Sequence, residues 1–139
     1  MAIHTSSLEF STPGNSEIID ITGQVQEKLA DSTIREGMVT VFVPGSTGGV
    51  ITLEYEPGLV HDLKEAFERL APREGTYHHD RTWGDGNGYS HVRASLVGPT
   101  LSVPFRDGRL VLGTWQQIAF VDFDNRPRRR VLIVQIMGE

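Results

Sequence analysis

The chain contains no cysteine. Disulfides, thiolate zinc sites and cysteine nucleophiles are therefore excluded. It also lacks a long apolar run, and no stretch approaches the roughly 18 consecutive apolar residues of a membrane-spanning helix. A basic surplus is missing too. Lys and Arg number 13 against 18 Asp and Glu, a formal net charge of −5. That balance argues against general nucleic-acid binding, which relies on a positive surface. The opening residues Met1-Ala2-Ile3-His4-Thr5 have no charged segment followed by a long apolar one, so no secretory signal is expected. Internal repeats and low-complexity tracts are absent. The expectation is a cytoplasmic protein with neither a nucleic-acid nor a membrane partner.

What is present fits a single domain over residues 1–139, long enough to bury a core without staples. Strands are expected at Ile3 to Ser11 and Glu17 to Ile21, divided by the turn residues Thr12-Pro13-Gly14-Asn15. Thr22 is placed to cap a helix reaching about Ile34. Met38 to Pro44 is nearly all apolar, as in a buried strand, and Val50 to Glu56 alternates. Pro57-Gly58 opens a second helix to Leu70, with Leu59, Leu63, Ala66, Phe67 and Leu70 in helical period. Arg73 to Gly88 reads as a long loop. A short helix follows, then strands at Thr100 to Phe105, Arg109 to Gly113, Gln116 to Phe123 and Arg129 to Met137. Asp107-Gly108 is a hairpin signal. This order predicts an α+β fold: a mostly antiparallel sheet with two main helices and a short motif helix.

The short helix is the most informative segment. Asn87, His91 and Ser95 recur at i, i+4 and i+8 and so share a face, while Tyr89, Val92 and Leu96 form an opposite apolar stripe. The preceding loop holds Tyr77-His78-His79-Asp80 and Gly84-Asp85-Gly86-Asn87. Its histidines with Asp80 and Asp85 suit a divalent metal or proton exchange, and a solvated loop with plain turns accounts for them equally. The spacing matches no standard zinc motif and no calcium loop. Pro44-Gly45-Ser46-Thr47-Gly48-Gly49 can form an anion nest or a simple hairpin loop. It is not a Walker loop, because the Gly-Lys-Ser/Thr ending is missing. Trp115 and Gln116 suit a planar heterocycle, or core packing and backbone pairing. Within Arg126-Pro127-Arg128-Arg129-Arg130, the arginines suit phosphate capture or a solvated turn.

Several of these segments carry a family pattern. Asp85-Gly86-Asn87, Ser90-His91-Val92-Arg93-Ala94-Ser95-Leu96, and Gly108-Arg109-Leu110 with Gly113-Thr114-Trp115-Gln116 occur in order, ending in Gly138-Glu139. Over nearly the whole chain this resembles the YjbQ-like family, also labelled the secondary thiamine-phosphate synthase enzyme family. The pattern also matches at His79, Asp80, Ser46, Thr47, Arg130 and the acidic positions Glu54 and Asp122. It departs at Gly45, where the family usually carries a histidine.

The resemblance implies an α+β homotrimer acting on a small phosphorylated ligand. It implies catalytic roles for His79, Asp85 and His91, with His79 and His91 also as ligands of a divalent metal, Mg or Zn. Substrate contacts fall to Ser46, Thr47, Asn87, Trp115, Gln116 and Arg130. The implied reaction is a thiamine-phosphate-synthase-type transfer: a pyrimidine methyl pyrophosphate loses pyrophosphate and joins a thiazole phosphate. Such chemistry needs charge stabilisation on the leaving group more than a strong nucleophile. Gly45 sets this chain apart from any mechanism that needs all three family histidines. A noncatalytic metal- or ligand-binding homotrimer, unrelated to thiamine synthesis, is the alternative.

Overall fold

The computed structural model describes Met1–Glu139. In chain order its elements are β1 (Ala2–Thr12), β2 (Glu17–Asp20), α1 (Thr22–Ser32), β3 (Gly37–Phe42), β4 (Gly48–Leu53) and α2 (Pro57–Leu70). They continue with α3 (His78–Trp83), α4 (Gly88–Val97), β5 (Thr100–Arg106), β6 (Arg109–Leu110), β7 (Gln117–Asp122) and β8 (Arg128–Gly138). The fold is α+β, and every strand pairing is antiparallel. The strands form two sheets rather than one: five strands in the order β1-β8-β3-β5-β6 and three in the order β2-β7-β4.

The three-stranded sheet is the middle layer. Along β7 the parity of side chains assigns Ile118 and Phe120 to one face and Ala119 and Val121 to the other. The first face joins Val25 and Leu29 of α1 and the inward residues of the five-stranded sheet, such as Val39, Leu132 and Val134. The second face packs on Phe67 of α2 and Ala94 of α4. Because both faces are covered, β7 reads as a continuous apolar run, whereas β1 and β8 alternate.

Local chemistry explains most boundaries. Thr22 is the first helical residue of α1 rather than its cap, and Asp20 Oδ1 accepts from its N–H and its hydroxyl at 2.9 and 2.7 Å. Thr33 adopts a left-handed conformation, so α1 stops at Ser32. Pro57 starts α2, and the Glu56 carboxylate accepts from the N–H groups of Gly58 and Leu59. Other expectations fail: β3 buries Val39 and Val41 but exposes Met38 and Phe42, so Met38 to Pro44 is not a strand buried on both faces. The loop over 73–88 contains the one-and-a-half-turn helix α3, stopped by left-handed Gly84. The strand after the hairpin ends at Leu110, because Gln116 folds back to accept from the Gly113 N–H. No helix is long and apolar enough to cross a membrane.

Candidate functional site

The site is built where α3 meets α4. Gly88 opens α4, and its N–H donates to Asp80 Oδ1 at 2.9 Å. A side chain there has no room: a Cβ would lie 2.5 Å from the Cβ of Tyr77 and 3.0 Å from Asp80 Oδ1. This glycine lets the turn close, and the closed turn sets His79, Asp80 and Asp85 against one another. His79 Nδ1 lies 3.7 Å from Asp80 Oδ1 and 3.8 Å from Asp85 Oδ1. The three potential ligand atoms lie within 4.8 Å of one another. His79 Nδ1 is itself buried and has no hydrogen-bond partner. Asn87, oriented to satisfy its amide, donates to Asp85 Oδ1 at 2.9 Å and steadies that carboxylate.

His91 projects from α4 onto the same place, its ring centroid 4.4 Å from that of His79 with the planes tilted by 43°. His79, Asp85, His91 and Asn87 are thus neighbours. The compact ligand triad, however, pairs His79 with Asp80 and Asp85 rather than with His91. A buried unpartnered imidazole nitrogen facing two carboxylates fits a divalent cation, with metal–ligand distances of about 2.0–2.2 Å. His78 is exposed and outside the cluster.

The helix α4 buries only Tyr89 of the stripe expected of it. Val92 and Leu96 are exposed, Leu96 at 64%. Ser90, Arg93 and Ala94 are buried beside Tyr89 instead. Small groups decide this: Ala94 and Gly49 let α4 approach β4 so closely that a Cβ on Gly49 would sit 2.6 Å from Val97 Cγ1. Arg93 then locks the helix, donating to Ala71 O, Ser16 Oγ and Glu68 Oε2 at 3.0, 2.8 and 2.7 Å. Its matching position in the motif is a structural anchor.

The remaining candidates divide between two other places. Arg130 is buried and grips Asp122 with two nitrogens, Nε to Oδ2 at 2.8 Å and Nη2 to Oδ1 at 2.7 Å. Nη2 also donates to Thr47 Oγ1 at 2.9 Å, and Thr47 donates to Asp124 Oδ2 at 3.1 Å. This corrects the picture of Arg130 and Thr47 as a free fork and hydroxyl: both are committed to a buried network. Arg128 extends it to Asp124 at 2.6 Å. Burial works against the Asp124 carboxylate, yet hydrogen bonds from Asn125 N–H, Thr47 and Arg128 outweigh it and hold its pKa below the ordinary value. Burial also pushes the Tyr77 phenol upward, partly opposed by Arg93. Ser46 is exposed beside this network and lines a cavity with His91 and Ser95.

Trp115 and Gln116 are not brought to the cluster. Trp115 is 73% exposed, and Gln116 Nε2 donates to Thr52 Oγ1 at 3.2 Å. They precede the Leu53↔Gln117 end of the β4–β7 pair, whereas Thr47 and Asp122 mark the opposite, Gly48↔Asp122 end. Five residues of strand separate the two ends, about 17 Å. Sequence patterns locate strand residues by face, not by end, so this separation had no signal in the chain. Asp80, read with Asp85 from the sequence as suited to a metal, does lie in the cluster with His79.

Residues 6–139 match the family model described as UPF0047 protein YjbQ-like. A UPF0047 protein of Archaeoglobus fulgidus is 42% identical over 126 residues, 91% of this chain and 96% of that one. The UPF0047 protein YugU of Bacillus subtilis is 35% identical over 133 residues, 95% and 98% of the two chains. Among solved structures, a YbjQ-like protein of unknown function from Sulfolobus solfataricus superposes with a TM-score of 0.94 at 31% identity, covering 99% of each chain. A hypothetical protein from Aeropyrum pernix gives 0.91 at 33% identity, covering 98% of this chain and 99% of that one. With its sequence matched almost end to end and its fold shared, the chain belongs to the UPF0047, or YjbQ-like, family.

Proposed function

We propose that this protein binds a divalent metal ion, Mg or Zn, through His79, Asp80 and Asp85, and that the site holds a small phosphorylated ligand. The observation that carries this reading is the buried, unpartnered Nδ1 of His79 between two carboxylate oxygens at 3.7 and 3.8 Å. Left alone, such a nitrogen costs about 1–3 kcal/mol, which a bound cation would offset. Two carboxylates and one imidazole form an oxygen-rich set that suits a hard or borderline ion. A metal held there would supply positive charge for phosphate oxygens. Asp85 is kept in place by Asn87, and Asp80 by the Gly88 N–H. Isothermal titration with Mg and Zn, after chelator treatment, should show one equivalent bound. His79→Ala and Asp85→Asn should each weaken binding by more than the about 10–100-fold that loss of a supporting outer partner costs. Metal-free behaviour of the wild type at millimolar ion would reject the reading.

A second reading keeps the thiamine-phosphate-synthase-type transfer. It is favoured by His91, which both stacks on His79 and lines the cavity beside Ser46. There a carbon–oxygen bond to pyrophosphate breaks and a carbon–nitrogen bond to the thiazole forms, with His91 placed to hold or pass a proton. Turnover should be slow and fall in His91→Ala. The test mixes purified protein, pyrimidine pyrophosphate, thiazole phosphate and Mg, and equal rates in both proteins remove His91 from the chemistry. A folded, metal-bound protein that forms no product leaves the noncatalytic binding role.

The homotrimer belongs to the same proposal. Its support is the outer face of the five-stranded sheet, where Ile3, Met137, Met38 and Pro104 lie side by side in register and exposed.

A further inference from the structure

We infer that the turn Gly45-Ser46-Thr47 is an oxyanion subsite, opened by glycine at position 45 and distinct from the His79 cluster. The inference rests on the phosphorylated-ligand reading above and deepens it. It names the group bound, a phosphate monoester or inorganic phosphate, and the atoms that take it.

Arg130 is 6% exposed, and its Nε and Nη2 are spent on Asp122 and Thr47. Its third nitrogen, Nη1, donates to no protein acceptor. That nitrogen lies just behind the turn, because a side-chain carbon at residue 45 would sit 3.5 Å from it. The backbone N–H groups of Gly45, Ser46 and Thr47 likewise donate to no carbonyl in the protein. Successive free N–H groups in a turn are the donors from which an anion nest is made, and a guanidinium N–H beside them makes the contact charge-assisted.

A cavity of about 170 Å³ opens in front of the turn, lined by Gly45, Ser46, His91 and Ser95 among others. At about 30 Å³ per water-sized group, it has room for a tetrahedral oxyanion. Asp122 already balances the Arg130 charge, so the subsite works through directed donors rather than net positive potential. A Cβ at residue 45 would stand 3.5 Å from Nη1 on the wall of this cavity, so glycine leaves the approach open. His91, shared by the cavity wall and the His79 stack, puts the bound oxyanion next to the metal cluster.

The backbone at Gly45 has no positive φ, so a larger residue fills the cavity without backbone strain. The test uses metal-stripped full-length protein in chelator, titrated with inorganic phosphate and with methyl phosphate by phosphorus NMR. Wild type should bind. Gly45→Ala should bind a few-fold more weakly and Gly45→Val about tenfold or more, the loss of one charge-assisted contact. Absence of binding to metal-free wild type overturns the subsite, and so does wild-type affinity in Gly45→Val. If the valine variant fails to fold, wild-type affinity in folded Gly45→Ala overturns it equally. Phosphate binding that needs added metal, is lost in His79→Ala and survives in Gly45→Val would leave the metal reading standing and overturn this one.

Discussion

Arg130 illustrates how one side chain can meet a motif and serve another purpose. Its guanidinium and the Asp122 carboxylate are both buried, with two parallel hydrogen bonds between them. Removing one partner strands the other charge in the interior. Arg130→Ala should therefore cost about 3–5 kcal/mol of stability, read from urea denaturation midpoints at constant slope. Asp124 adds a pH signature. Its folded pKa is depressed, so it contributes stability above the unfolded carboxylate value near about 3.9. That contribution is lost as pH falls through the lower folded value. Acid unfolding should begin less steeply in Asp124→Asn than in wild type, and equal slopes below about pH 4 would show the network to be unimportant.

The α3–α4 corner shows the cost of close approach between elements. Both the Asp80 contact and the juxtaposition of His79 with His91 depend on Gly88 lying against Tyr77. Gly88→Ala forces Tyr77 and Asp80 apart, because the new carbon meets a Cβ rather than the flexible end of a side chain. The expected result is a loss of about 1–3 kcal/mol in thermal or urea unfolding, together with weaker metal binding than the loss of stability alone explains. An undisturbed metal affinity in the folded variant would mean that the corner does not organise the cluster. The segment over 73–88 reads as loop because glycine, histidine and aspartate dominate it. The single helical turn and a half of α3 is too short to leave a period, and the left-handed Gly84 that ends it is its one visible mark.

For the molecule as a unit, the unsolved surface is the outside of the five-stranded sheet. The inward face supplies Val39, Val41, Leu132, Val134 and Ile136 to the core. The outward face pairs Ile3 with Met137, Met137 with Met38 and Met38 with Pro104, flanked by the polar row Thr5, Gln135, Thr40 and Ser102. The proposed homotrimer, with the apolar row buried in it, predicts a trimeric mass in sedimentation at micromolar concentration. Met38→Glu should shift it to monomer while leaving the circular dichroism spectrum unchanged. A monomeric wild type would contradict the assembly.

Periodicity and punctuation along the chain suffice for the class of fold. The alternation of β1 and β8, the apolar run of β7, Pro57 at the start of α2 and the Asp107-Gly108 hairpin are local effects, and local sequence encodes them. His79 and Asp80 are adjacent and Asp85 is near in sequence, so the loop read as suited to a metal holds all three members of the cluster. The split into two sheets, the burial of the Arg93 face of α4 and the exposure of Leu96 depend on which surfaces meet across the core. The same holds for the fate of the separate candidates. Arg130 is drawn inward because Asp122 on β7 waits there, and Trp115 is left about 17 Å of strand away. Residues distant in sequence acquire or lose a common purpose only through tertiary packing, because the energy of a charge or a donor depends on what surrounds it.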